Sequence, residues 1–272
     1  MLYCLCYTKK TGDDTMKQFC CDALTVKISD TAAELGDTAG KDIIQAIQKE
    51  LRKKEEINII FAAAPSQNET LRALLAEKNV PWEKINAFHM DEYIGLPKGS
   101  PASFGYYLAQ HIFKKAPFRA IHYINTSATD LSAEAQRYSA LLTAYPADII
   151  CLGIGENGHL AFNDPPVADF NDPLLVKKVA LDQTCRMQQV HDGCFASLDE
   201  VPRYALTLTI PALFNANHLF CSVPYATKAA AIKEILTTNK IDEHCPASIL
   251  RRHPHAVLYC DKESAAKINA TI

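Results

Sequence analysis

The sequence predicts an α/β fold: a modified doubly wound, mostly parallel sheet with helices on both faces. Three observations predict it. Short apolar runs such as Ile57–Ala64 and Asp148–Gly153 recur along the chain and alternate with stretches of helical periodicity. Those runs are continuously apolar, as in parallel strands buried on both faces. Helix-start signals stand between them, which places the crossovers on the faces of the sheet.

The elements follow in order. Leu24–Ile28 alternates and reads as a short strand. Thr31-x-x-Glu34 is a capping box, and Ile44, Ile47 and Leu51 then recur at helical spacing. Ile57–Ala64 is a buried strand that Pro65 breaks. Ser66-x-x-Glu69 forms a second capping box ahead of a stripe of Leu71, Leu74 and Leu75. Ile85–Met90 is strand-like, and Ser103–Phe113 helical. Ala120–Ile124 is a strand, Ser132–Ala144 a helix, and Asp148–Gly153 a strand ending in a glycine-containing loop. The polar, irregular segment Val167–Leu198 suits a lid or insertion over a site. Ala205–Thr209, Leu219–Val223 and Ala256–Cys260 complete the strands, with helices over Thr227–Leu236 and from Lys262 onward. There is no linker, repeat or low-complexity tract, so residues 16–272 read as one domain. Residues 1–15 read as a loose tail, with Met16 as an alternative start.

The 272 residues suffice for a large core. A formal net charge of −3 gives no basic excess for nucleic acid or an anionic membrane. No apolar run approaches the ~20 residues of a membrane helix. Ten cysteines show neither a disulfide pattern nor a C-x-x-C, which indicates a reducing, cytoplasmic setting. Cys151, Cys221 and Cys260 lie in strand-like runs, where cysteine acts as a small hydrophobe. His253-x-His255 lacks a nearby third ligand, so no metal site is expected.

Ligands of open parallel sheets bind beyond the carboxyl ends of the strands. Three loops in such places hold polar chemistry. The first is His89-Met90-Asp91-Glu92-Tyr93. Its adjacent carboxylates point in different directions, so one can face a pocket and move protons; a solvated acidic turn is the other reading. The second is Gly153–Pro165, where Gly155 and Gly158 permit close approach to a ligand and His159, Asn157 and Asp164 supply an imidazole, a carboxamide and a carboxylate. So many polar groups in one loop are costly to bury without purpose and favour function; an exposed turn with a satisfied histidine is the other reading. The third is Ala62-Ala63-Ala64-Pro65-Ser66, small residues ahead of a helix start whose amides suit a phosphate. Lys228, at the start of another helix after a strand, adds a positive charge. Plain capping by Ser66 and a solvated Lys228 remain open from these residues alone.

Three motifs resemble the glucosamine-6-phosphate deaminase (isomerase) family: Met90–Pro97 (MDEYIGLP), Gly158–Pro165 (GHLAFNDP) and Val201–Thr207 (VPRYALT). The resemblance runs from about Thr31 to Asp261, in the family's order and similar spacing. It implies a modified doubly wound fold and a reaction, without metal or organic cofactor, that turns an amino-sugar 6-phosphate into a ketose phosphate and ammonia. It implies that Asp91 moves the proton between C2 and C1 and that His159 assists ring opening with Asp164 in support. Lys228 and the Ala63, Ala64, Pro65 and Ser66 loop then contact phosphate, and Gly155 and Gly158 the sugar. The implied catalytic set is Asp91, His159, Asp164 and Asn157.

The chain departs from the family in places. Its phosphate loop is alanine-rich rather than glycine-rich and Thr-containing. Asn157 stands where Asp is frequent, and Asp164 where Glu is commoner. Arg186 lies in the lid segment, but no arginine aligns with the family's second phosphate ligand. The resemblance leaves glucosamine- and galactosamine-6-phosphate as equal substrates, since they differ only at C4. A homo-oligomer is compatible with the family. Two rivals stand beside this reading. A 6-phosphogluconolactonase shares the fold, but typically reads Asp-Glu-Arg where this chain has Asp91-Glu92-Tyr93. A non-catalytic sugar-phosphate binder would not need both Asp91 and His159.

Overall fold

The computed structural model describes residues 17–268; the expected tail over residues 1–15 lies outside them. The strands are β1 (Lys17–Cys21), β2 (Leu24–Ser29), β3 (Ile57–Phe61), β4 (Ile85–His89), β5 (Asp91–Tyr93), β6 (Ala120–His122), β7 (Ile149–Leu152), β8 (Val176–Ala180), β9 (Tyr204–Leu208), β10 (His218–Val223) and β11 (Ala256–Asp261). The α-helices are α1 (Ala32–Leu51), α2 (Asn68–Ala76), α3 (Phe104–Leu108), α4 (Leu131–Ala144), α5 (Gln183–His191), α6 (Ile210–Phe214) and α7 (Ala229–Thr237).

Eight strands form the main sheet in the order β1-β2-β11-β10-β7-β3-β4-β6. All neighbours are parallel except the β1–β2 hairpin. Side chains alternate along each strand, so the central strands feed two cores. Ile60, Phe88, Ile150, Leu152 and Leu219 meet Tyr138 of α4, Leu213 of α6 and Ile232 and Ile235 of α7 on one face. Ile59, Phe61, Ala87, Ile149 and Cys151 meet Leu35, Ala39 and Ile43 of α1, Leu71 and Leu74 of α2 and Leu108 of α3 on the other. The expected helices on both faces are therefore present.

Order matters more than count for the site. From β3 the chain runs outward to β4 and β6; from β7 it runs the other way, to β10 and β11. β3 and β7 are paired neighbours. The connections part between them, and the loops after β3 and β7 border a crevice at their carboxyl ends. Over it lies a second, antiparallel sheet, β5-β9-β8. Ala205–Thr209 was expected in the main sheet; its strand instead pairs with β5 and β8.

Local expectations fare unevenly. Thr31 caps α1 by accepting from the Glu34 amide, and the Glu34 carboxylate accepts from Asp30 N–H, one residue earlier than in a closed capping box. The buried stripe of α1 runs through Leu35, Ala39, Ile43 and Ile47, with Ile44 and Leu51 at its margin. Ser66 caps nothing: the chain enters through a 3₁₀ turn at Pro65–Gln67, so α2 begins later, at Asn68, with no side-chain cap. Ser103 does cap α3, which continues into a π-turn over Ala109–Phe113. The helix expected from Lys262 is a series of turns over the described residues to 268. There Asp261 and Ser264 exchange side-chain and backbone hydrogen bonds. No helix among the described residues is long and apolar enough to cross a membrane.

Candidate active site

The crevice encloses about 620 Å³, including its solvent-open mouth. Asp91, His159, Lys228, Ala63, Ala64, Ser66 and Gly155 all line it. Four sequence-distant segments thus deliver the expected groups to one place. Two of the expected substrate contacts do not reach it. Pro65 is turned toward a neighbouring hollow, beside Tyr107. Gly158, at φ +81°, shapes the loop from behind, where an added Cβ would meet the Cys245 sulfur at 3.2 Å.

Asp91 and Glu92 part as strand geometry requires. The Glu92 carboxylate accepts from the amides of Tyr93 (2.9 Å), Phe104 (3.1 Å) and Gly105 (2.8 Å), and so anchors the start of α3. Asp91 faces the crevice and is buried. Burial, reinforced by the nearby Glu92 charge, holds its carboxyl well above the ordinary carboxylate range, and no donor among the described residues offsets this. His89 secures the backbone beneath it: Nε2 accepts from the Ile124 amide, which leaves Nδ1–H to donate to Asp91 O at 2.9 Å. Burial pushes this imidazole down to about 4, with the bond to Asp91 O opposing, so it stays neutral as a structural group.

His159 is held from one side. Nδ1 lies 2.7 Å from Asn157 Oδ1 and 2.9 Å from Asp164 Oδ1. Both atoms only accept, so Nδ1 carries the proton and Nε2 is left with a lone pair. Asn157 Nδ2 also donates to Asp164 (2.9 Å), which fixes which end of the amide faces the ring. Burial alone would raise the Asp164 carboxyl; its bonds to His159, Asn157 and the Asp182 amide outweigh that and hold it below the usual range. Asp164 therefore remains a carboxylate and orients the imidazole. Gly155 is needed here: a Cβ would lie 2.1–2.3 Å from the His159 ring atoms.

The third group is a cation. Lys228 is buried, and its Nζ has no hydrogen-bond partner. Burial pulls its ammonium down, while Asp192 and Glu156 oppose the shift. A buried ammonium without a partner is costly, and an anion in the crevice would relieve it. Pro65 has no N–H and the Gln67 amide donates to Ala64 O (2.9 Å), so Ser66, which borders the same space, is left to offer its amide at the start of the turn. Tyr225, at φ +81°, sets the turn that delivers Lys228, and its amide is held by the Asp261 carboxylate. A bulky residue in that conformation is strained by about 1–3 kcal/mol.

β9 explains why the three motifs occur together. Asp91 pairs with Thr207, and Tyr93 with Ala205. Thr207 Oγ1 also accepts from the Phe162 amide (3.1 Å), and Asn163 Nδ2 donates to Leu208 O (2.8 Å). One strand thereby fixes the Asp91 segment and the His159 loop relative to each other. The expected lid is real in part: α5 and the residue after it bring Gln188, Gln189 and Asp192 to the crevice. These were missed, because α5 has no apolar stripe. Arg186 does not join them; it donates to Leu198 O (2.6 Å) and Val201 O (2.8 Å) and braces the lid.

Residues 30–259 match the family described as glucosamine-6-phosphate isomerases/6-phosphogluconolactonase. The chain is 34% identical over 226 residues to a glucosamine-6-phosphate deaminase of Listeria monocytogenes serotype 4a, covering 83% of this chain and 94% of that one. It is 30% identical over 249 residues to one of Bacillus cereus, covering 92% and 90%. Among solved structures, a monomeric glucosamine-6-phosphate deaminase superposes with a TM-score of 0.81 at 28% identity, over 89% of this chain and 99% of that one. A 6-phosphogluconolactonase from Thermotoga maritima gives 0.70 at 22%, over 88% and 100%, a likeness of fold.

Proposed function

The chain belongs to the family of glucosamine-6-phosphate isomerases and 6-phosphogluconolactonases, and from that premise we propose that it is an amino-sugar-6-phosphate deaminase. The observation that carries the reading is the convergence of Asp91, His159 and a partnerless Lys228 on one crevice at the switch point of the sheet. The phosphate of the substrate pairs with Lys228 and takes the Ser66 amide at the start of the Pro65–Gln67 turn. His159 Nε2 removes the proton of the anomeric hydroxyl and returns one to the ring oxygen, which opens the ring. Asp91 takes the proton from C2 and delivers it to C1. The resulting C2 imine is hydrolysed by water, and ammonia leaves. No metal is needed for any of these transfers. Residues 16–272 act as one catalytic domain.

Relatives named glucosamine-6-phosphate deaminase support the glucosamine substrate. Nothing at the proton-moving carbons separates it from the galactosamine epimer. Eight described cysteines are free, which supports a cytoplasmic setting. One panel tests the reading: ammonia release from glucosamine-6-phosphate and from galactosamine-6-phosphate, and hydrolysis of 6-phosphogluconolactone. Ammonia from either amino sugar is the expected result. Lactone hydrolysis alone would transfer the chain to the lactonase side of the family, and binding without turnover would reduce it to a sugar-phosphate receptor.

A further inference from the structure

Behind His159, on the side away from the crevice, stand two groups from different segments. Asp164 belongs to the loop after β7, and Cys185 to the first turn of α5. His159 Nδ1, an Asp164 carboxylate oxygen and Cys185 Sγ all lie within 4.8 Å of one another, and all three residues are buried. Imidazole nitrogen, carboxylate oxygen and thiolate sulfur are the donor set of Zn²⁺, which binds four ligands in a tetrahedron with bonds of about 2.0–2.3 Å. Asn157 Oδ1, 2.7 Å from Nδ1, stands next to the same point. The sequence conceals this set, since His159 and Asp164 are five positions apart and Cys185 comes from another element. The spacing rules that dismissed His253-x-His255 do not apply to it.

From this geometry we infer that His159, Asp164 and Cys185 form an inhibitory site for a thiophilic divalent cation, with Zn²⁺ as the fitting ion. On binding, the Cys185 thiol gives up its proton and the sulfur forms a bond to the metal. The Nδ1 lone pair of His159 forms a second, and the proton that Nδ1 carried reappears on Nε2. Asp164 supplies a third bond. One proton is released to solvent overall, and no electron is transferred. The functional consequence follows from the ring: with Nδ1 metallated and Nε2 protonated, His159 has no lone pair facing the crevice and cannot accept the proton of the sugar hydroxyl. Cys185 itself does not line the crevice. It therefore confers metal sensitivity without serving turnover. Zinc bound in this way is distinct from the catalytic use of a metal. Its ligands lie behind the imidazole, and the bond it makes removes the group that opens the sugar.

Only the inhibitory consequence rests on the deaminase reading; metal binding does not. The full chain, purified with a chelator, is titrated with Co²⁺ as a spectroscopic stand-in and with Zn²⁺ by calorimetry. The same titrations are run on Cys185→Ser and Cys185→Ala, the first of which keeps a hydroxyl beside Asp164. Wild type should show a thiolate-to-cobalt charge-transfer band at one equivalent. Both variants should lose the band and bind Zn²⁺ at least about tenfold more weakly. In turnover assays Zn²⁺ should inhibit wild type reversibly, with chelator restoring the rate, while Cys185→Ser keeps the basal rate and is at least about tenfold less sensitive. Co²⁺ bound without a thiolate band, or variants that bind Zn²⁺ as tightly as wild type, would overturn the site. If the band appears and Zn²⁺ leaves turnover unchanged, the inhibitory role is refuted. If the band appears in a protein without deaminase activity, it is the functional reading that fails.

Discussion

Replacing Asp91 by Asn removes the titration of a buried side chain, and so the charge that the carboxylate carries when ionised, and leaves its shape. Two consequences can be worked from the structure. A positioned general base contributes about 10²–10⁴-fold to a proton transfer, or about 3–5 kcal/mol of barrier. D91N should lose that factor in kcat with little change in KM, because Lys228 and the Pro65–Gln67 turn still hold the phosphate. The second consequence is for stability. The Asp91 carboxyl is held above its unfolded value of about 3.9. Such a group favours the folded state below the unfolded pKa, and that contribution is lost as pH rises through the folded pKa. Each tenfold change in proton affinity is worth about 1.4 kcal/mol, a few degrees of Tm in a chain of this size. D91N lacks this dependence. Its stability relative to wild type should climb from about pH 4 upward and level off once the wild-type carboxyl is ionised. The constant cost of a buried amide, about 1–3 kcal/mol if unpaired, offsets the curve without changing its slope. The assays are thermal unfolding against pH, and hydrogen exchange at C2 of the substrate in deuterated buffer by NMR. A D91N protein that still exchanges at C2 would remove Asp91 from the proton transfer. A stability difference that is flat from pH 4 to 8 would refute the account of its burial.

The other predictions concern separate parts of the site and frame. Lys228→Met removes the buried ammonium that has no partner; it should raise KM by about 10–100-fold, equivalent to about 1.5–3 kcal/mol for a hydrogen bond to a charged group, without loss of Tm, and unchanged KM would place the phosphate elsewhere. Gly155→Ala drives a Cβ into the His159 ring. Because a displacement of about 1 Å can cost about 10²-fold, kcat should fall while circular dichroism stays native; a normal kcat would mean that the imidazole position is not critical. Gly36→Ala tests the frame. The added Cβ would sit 2.4–2.8 Å from Glu69 Cβ and backbone atoms of α2, and such overpacking should cost about 1–3 kcal/mol in a denaturant titration, with kcat preserved in the folded fraction.

Much of this was legible because it is local. Apolar runs marked β3, β4, β7, β10 and β11, and Thr31 and Ser103 marked two helix starts. The failures have physical causes. β8 reads Val-Lys-Lys-Val-Ala, where two adjacent lysines interrupt the apolar pattern, and β5 has only three residues. The buried face of α5 is Cys185, Gln188 and Gln189, and the two glutamines line the crevice, so a helix roofing a polar pocket shows no apolar stripe. Ser66 carried a capping pattern, yet Pro65 begins a 3₁₀ turn and shifts the helix start past it.

The sequence by itself determined the alternation of strands and helices, the small-residue loop before α2, and the polar loop around His159. Periodicity and turn chemistry act between near neighbours, and a single chain displays them. The tertiary structure decided the rest. It placed the β3 and β7 loops side by side through strand order, tied Asp91 to the His159 loop through β9, and withdrew Lys228 from water without a partner. It also set Cys185 behind the imidazole. Each of these depends on pairings between residues distant along the chain. Whether a carboxylate or an ammonium is perturbed depends on what surrounds it in space, and composition and spacing do not encode that.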